Sequence, residues 1–218
     1  MSRVITAIYP TRNNRRINIA INDSYAFTVE KALGEKYSLV KGMEVSEELE
    51  KILKSEDEKQ KLQERVLRKL ARRAHSKYEI RQYIRKQISK LTFEEKIPKD
   101  NTSDEWEEAI ITFLDTYDYL DDVSYATSVI RSKRSSKSPF EMRGYLRQKG
   151  VNSQDIETAL QEEELNPTAV VRELIEKKIR QLKHKNLSVS DMRRKIVQYL
   201  TRKGFRYGTI IEVLEELL

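Results

Sequence analysis

One short phrase recurs three times along this chain: a tyrosine, an aliphatic residue, then a basic run. The copies are Tyr83-Ile84-Arg85-Lys86-Gln87-Ile88, Tyr145-Leu146-Arg147-Gln148-Lys149-Gly150 and Tyr199-Leu200-Thr201-Arg202-Lys203-Gly204. The first two also match upstream, Ser76-Lys77-Tyr78-Glu79-Ile80-Arg81 against Ser138-Pro139-Phe140-Glu141-Met142-Arg143, at one offset of 62 residues. A fixed internal period means one small unit used repeatedly, and stacked units present an extended surface rather than a catalytic cleft. Binding, not chemistry, is the first expectation.

Local signals bound the helices of each copy. Ser76-x-x-Glu79 and Ser138-x-x-Glu141 read as capping boxes, and Ser188-x-x-Asp191 is a related signal in the third copy. Pro139 falls just inside a helix start, and Asn166-Pro167 repeats that device. Gly150 and Gly204 stand where a left-handed C-terminal cap is wanted. A further helix follows in each copy: Ile156/Ile210 and Leu160/Leu214 share the 54-residue offset of the glycine pair. In the first copy its counterpart is the run from Asp104 to Asp115, pushed back by a polar insertion from Ser89 to Ser103 and opened by Thr102-x-x-Glu105.

Each unit therefore reads as helix, capped basic helix, acidic helix. One such unit is too small to bury much core alone, so stacking is expected. The predicted divisions are a linker helix with the first repeat over 46–120, the second repeat over 121–166 and the third over 167–218. Residues 1–45 read differently, as a small β-rich domain: 4–9, 16–21 and 25–29 are strand-like, with Asn22-Asp23-Ser24 as a turn. Three strands make a marginal sheet, which must pack on the first helices. Ser46 is a cap for the next helix, and the polar stretch from Lys54 to Lys61 predicts a break or an exposed run within it.

Composition narrows the function classes. The chain has no cysteine, so it has no disulfide framework, thiol nucleophile or zinc–thiolate site. Its two histidines, His75 and His184, have no ligand-like spacing, and neither phosphate-binding glycine motif occurs. No metal and no cofactor is expected, and Asp121-Asp122 reads as a helix start rather than a catalytic pair. No window approaches the roughly 18 apolar residues of a membrane span, and the start lacks a signal-peptide pattern. Cytoplasmic residence is the simple reading.

The charge is +7 overall and oscillates with the repeats. Residues 64–90 carry +8, 91–128 carry −9, 129–150 carry +6, 151–176 carry −6 and 177–208 carry +10. Either neighbouring helices of opposite sign satisfy one another, or the basic helices face an acidic partner or a polyanion. Candidate contact residues cluster on the capped helices. Around the first stand Arg72, Arg73, Lys77, Arg81 and Arg85; around the second, Arg143, Arg147 and Lys149; around the third, Arg193, Arg194, Arg202, Lys203 and Arg206. Such clusters suit phosphates or carboxylates. Tyr83, Tyr145 and Tyr199 could stack on bases, but their spacing from Ile80, Met142 and Ile196 favours a buried structural role.

These residues resemble the RecX family, regulatory proteins that modulate the RecA recombinase. The resemblance rests on Leu70-Ala71-Arg72-Arg73-Ala74-His75-Ser76 with Glu79-Ile80-Arg81, and on Tyr119-Leu120-Asp121-Asp122-x-x-Tyr125-Ala126. It continues in Arg143-x-Tyr145-Leu146-Arg147-Gln148-Lys149-Gly150-Val151 and Tyr199-Leu200-Thr201-Arg202-Lys203-Gly204-Phe205, so it covers roughly 60–218. The strand-rich start is similar to that of longer members. Two departures stand out: Ala74 where members often carry Glu, and a longer insertion at 89–103. Some members also carry a further helical segment beyond the position of Leu218.

The resemblance implies a mostly α protein of tandem three-helix repeats, elongated and curved, with a small N-terminal antiparallel β-sheet. It implies a non-enzymatic regulator that docks on RecA nucleoprotein filaments and limits their ATPase and strand exchange, in DNA repair, recombination and the SOS response; a monomer is expected. A stand-alone DNA-binding module, using its basic faces on the phosphates of single- or double-stranded DNA, is the other reading.

Overall fold

Three antiparallel strands and ten α-helices account for most of the chain in a computed structural model that describes residues 2–97, 102–163, 165–185 and 187–218. The chain divides into two compact units. The N-terminal unit holds Met1–Arg73 and Arg81–Tyr117; the C-terminal unit holds Ala74–Ile80 and Asp118–Leu218.

The N-terminal unit begins with β1 (Ile5–Pro10), β2 (Arg16–Ile21) and β3 (Ser24–Glu30), paired in that order. Asn22 and Asp23 both take positive φ, as a two-residue hairpin turn requires, and both residue types tolerate it. Strand alternation sends Ile5, Ile19, Phe27 and Val29 inward against Leu33 and Leu53. Leu33 lies on α1 (Lys31–Lys36), a short helix the sequence reading omitted. Leu53 lies on α2 (Glu47–Leu70), whose cap is Ser46, accepting from the Leu49 N–H.

The predicted interruption of α2 does not occur. Within the polar stretch Asp57 is only 2% exposed. It accepts from the Arg16 guanidinium at 2.6 and 2.8 Å and from the Glu30 N–H at 3.0 Å, while Lys61 lies 2.9 Å away. The stretch thus carries a buried polar anchor to the sheet, with Leu53 and Leu62 buried on either side. The unit is completed by α3 (Lys77–Phe93), apart from its first turn, and α4 (Thr102–Thr116); Thr102 of the expected Thr102-x-x-Glu105 capping box lies outside the described side chains. Ile84, Ile88 and Leu91 on α3, and Trp106, Ile110 and Leu114 on α4, are buried at helical spacing.

The C-terminal unit contains two helix triplets: α5 (Asp122–Lys133), α6 (Pro139–Gln148) and α7 (Ser153–Glu162), then α8 (Pro167–Leu182), α9 (Val189–Arg202) and α10 (Tyr207–Leu217). Side chains cap five of the six starts, from Asp121, Ser138, Asn152, Asn166 and Ser188, and Ser138 with Glu141 forms a full capping box. Each triplet closes its own core. Ile130, Met142, Leu146, Ile156 and Leu160 belong to one; Ile175, Ile196, Leu200, Ile210 and Leu214 belong to the other. No helix among the described residues is long and apolar enough to cross a membrane.

Candidate partner-binding surface

The recurring phrase is built into two joints of the C-terminal unit. At the first, Ser76 Oγ accepts from the Glu79 N–H and donates to the backbone carbonyl of Lys149. Gly150 follows at φ +75, a conformation that favours glycine, and a Cβ there would collide with Tyr78. Lys149 Nζ reaches Glu79 at 2.8 Å. At the second, Ser138 Oγ accepts from the Glu141 N–H and donates to the carbonyl of Lys203. Gly204 has φ +79 and faces Phe140, and Lys203 Nζ lies 3.6 Å from Glu141. Two of the candidate cations, Lys149 and Lys203, are therefore parts of these joints.

The tyrosines of the phrase are half-buried, and Tyr145 and Tyr199 pack against the cores of their helix triplets. Lys69 stands 4.9 Å from the Tyr83 ring centre, Lys133 stands 4.9 Å from that of Tyr145, and Lys178 stands 4.8 Å from that of Tyr199. Lys149 and Lys203 also lie over Tyr145 and Tyr199. Cation–π contact uses these rings internally.

Several other candidate arginines meet the protein's own carboxylates. Arg81 and Arg85 converge on Glu107, at 2.7 and 2.5 Å, and Arg81 also meets Glu108. Burial alone would raise the Glu107 carboxyl, but hydrogen bonds from Arg85 and Arg81 outweigh it and hold the group below the ordinary range. Arg143 forms a two-pronged pair with Glu157 at 2.7 and 2.8 Å, which lowers the Glu157 carboxyl. Arg194 pairs with Asp191 at 3.0 Å within α9, and Arg202 Nε caps the Gln198 carbonyl. Lys77 is half-buried, with its backbone N–H on Asp122. Arg73 and Arg147 are exposed, and Arg193 is half-buried. Opposite charge between neighbouring helices is satisfied in this way across much of the surface.

Cations, some of them already paired, also line two concave surfaces. In the N-terminal unit, Arg65, Arg68, Lys69 and Arg72 line a groove of about 250 Å³ beside Tyr83. Only Arg72 of the four was singled out from the sequence. The signal was present: positions 65, 68/69 and 72 recur at three- to four-residue spacing, although α2 ends at Leu70 and Arg72 lies in the turn just beyond it. In the C-terminal unit, Arg143 and Arg206 line a cavity of about 480 Å³ with Phe140 and Phe205. No cluster of His, Asp and Glu among the described residues has a metal-binding arrangement.

An N-terminal sheet followed by helix triplets with cationic faces defines a tandem three-helix-domain protein suited to binding. Residues 3–46 match the regulatory protein RecX N-terminal domain, 121–160 the RecX second three-helix domain and 168–214 the RecX third three-helix domain. The chain is 26% identical to regulatory protein RecX of Clostridium botulinum, over 100% of its own length and 97% of that protein. It is 29% identical to regulatory protein RecX of Bacillus pumilus, over 97% of its own length and 76% of that protein. A crystal structure of regulatory protein RecX superposes with TM-score 0.73 at 27% identity, covering 98% of this chain and 99% of that one. RecX from Lactobacillus salivarius shares the fold, with TM-score 0.58 at 23% identity over 74% of this chain and 97% of that one. The chain belongs to the RecX family of regulatory proteins.

Proposed function

We propose that this protein binds RecA nucleoprotein filaments and restrains the recombinase, acting on recombination and DNA repair. Membership of a regulatory family carries the reading, and the cations grouped in the groove beside Tyr83 supply the means. It works by contact rather than catalysis, as a cytoplasmic monomer. The joints hold their helix ends by side-chain bonds, so their basic residues keep fixed spacing, and weak contacts can add through geometry. The test is co-sedimentation with RecA filaments on single-stranded DNA: the chain should pellet with filaments and stay in solution with RecA alone. Equal recovery in the absence of RecA would overturn the reading.

The groove of Arg65, Arg68, Lys69 and Arg72 beside Tyr83 favours a second reading, a direct phosphate contact. That reading expects DNA binding without RecA, weakening linearly on a log–log salt plot by about 0.9 per phosphate neutralised.

A further inference from the structure

The two joints of the C-terminal unit share one plan and differ in charge. At the first, the starts of α3, α5 and α7 bring together Lys77, Asp122, Asn152 and Asp155. Asp122 Oδ1 accepts the Lys77 N–H at 2.8 Å, and burial, with the field of Asp155, lifts the Asp122 carboxyl above its ordinary range. At the second, the same cap positions of α6, α8 and α10 are Pro139, Pro167, Arg206 and Thr209. The change is concerted. Pro139 has no N–H to donate, and Pro167 has no carboxylate to receive one.

What the exchange leaves is a cavity of about 480 Å³ in which both acidic side chains are gone and an arginine replaces an asparagine. Arg206 has no ion-pair partner among the described residues, and it caps α10 without a side-chain acceptor. Arg143 borders the same space with its other nitrogens on Glu157. Phe140 forms an apolar wall and is 68% exposed. Burying such a ring is favourable if a partner covers it.

We propose that this cavity receives one carboxylate side chain, Asp or Glu, from an acidic segment of a protein partner. The carboxylate takes the place that Asp122 fills in the first joint and pairs with Arg206. An apolar neighbour in the same segment covers Phe140. A carboxylate suits the site better than a phosphate: one uncommitted arginine matches a single negative charge, and the homologous joint already holds that group. The proposal rests on the reading that this chain acts by binding a protein.

The test uses the full chain and a short peptide, acetyl-Phe-Asp-Gly-amide, with its Asn analogue and inorganic phosphate as comparisons. The backbone amide resonances of Gly204 and Thr209 report occupancy. The Asp peptide should shift them saturably and the Asn analogue should not. Arg206→Ala should weaken binding by about tenfold or more, as expected for a charge-assisted pair. Pro167→Asp should abolish binding by supplying the carboxylate from within. Equal binding of the Asn analogue, tighter binding of phosphate than of peptide, unchanged binding by Pro167→Asp, or no saturable shift would each overturn the proposal. RecA is absent throughout, so failure here leaves the filament reading to its own experiment.

Discussion

Ser76 donates a hydrogen bond from its hydroxyl to the carbonyl of Lys149, 73 residues further along the chain, while capping its own helix. Ser138 does the same for Lys203. A residue type chosen for a local cap also ties one repeat to the next, and the helix C-terminus it meets turns on a glycine. In its second and third copies the phrase is therefore a joint as much as a surface.

Ser138→Ala removes both the cap and the bond to Lys203, whereas Ser188→Ala removes only local bonds to Asp191. The first is expected to destabilise the C-terminal unit by about 1–2 kcal/mol and the second by about 1 kcal/mol or less. Gly204→Ala should cost at least about 1–2 kcal/mol, from the left-handed backbone and the collision with Phe140. Urea denaturation of the three variants checks the order.

Glu107 is 2% exposed beneath Arg81 and Arg85. Its folded carboxyl is held below the ordinary range, so the stabilisation it confers is present above about pH 4.3 and is lost as pH falls through the folded value. Glu107→Gln should cost about 2–3 kcal/mol at neutral pH, less than a fully buried pair because the Arg85 side chain is largely exposed. Melting curves between neutral pH and about pH 3 should show the variant losing the acid-dependent part of the wild-type slope.

Asp57→Ala leaves the Arg16 guanidinium and the Glu30 N–H without their shared acceptor. A loss of about 3 kcal/mol is expected, with faster amide exchange in β2 and β3. Hydrogen-exchange mass spectrometry of the full chain measures it.

Arg68→Glu with Arg72→Glu reverses charge in the groove beside Tyr83 without breaking an ion pair among the described residues, so stability should change by no more than about 0.5 kcal/mol. Filament binding should fall. Arg147→Glu is the matching probe in the C-terminal unit, because reversing Arg143 would also break its pair with Glu157.

Local signals were readable from the chain and non-local ones were not. Ser138-x-x-Glu141, Pro139 and Gly204 announced their caps because capping acts within one turn. Nothing in the spacing says that Ser76 also meets Lys149, since that bond spans two repeats. The same gap hid the site. Arg81, Arg85 and Arg143 looked available because Glu107 and Glu157 lie on other helices, and charge counting cannot tell a paired cation from a free one. The polar stretch from Lys54 to Lys61 looked like a break or an exposed run for the same reason: Arg16, the partner of Asp57, belongs to the sheet. Arg206 acquired meaning only when its cap position could be compared with that of Asn152.

The most direct measurement is DNA-dependent ATP hydrolysis by RecA filaments as the full chain is added. Hydrolysis is expected to fall at amounts of this protein well below those of RecA, and Arg68→Glu with Arg72→Glu to need more protein for the same effect. Hydrolysis unchanged at saturating protein would contradict it.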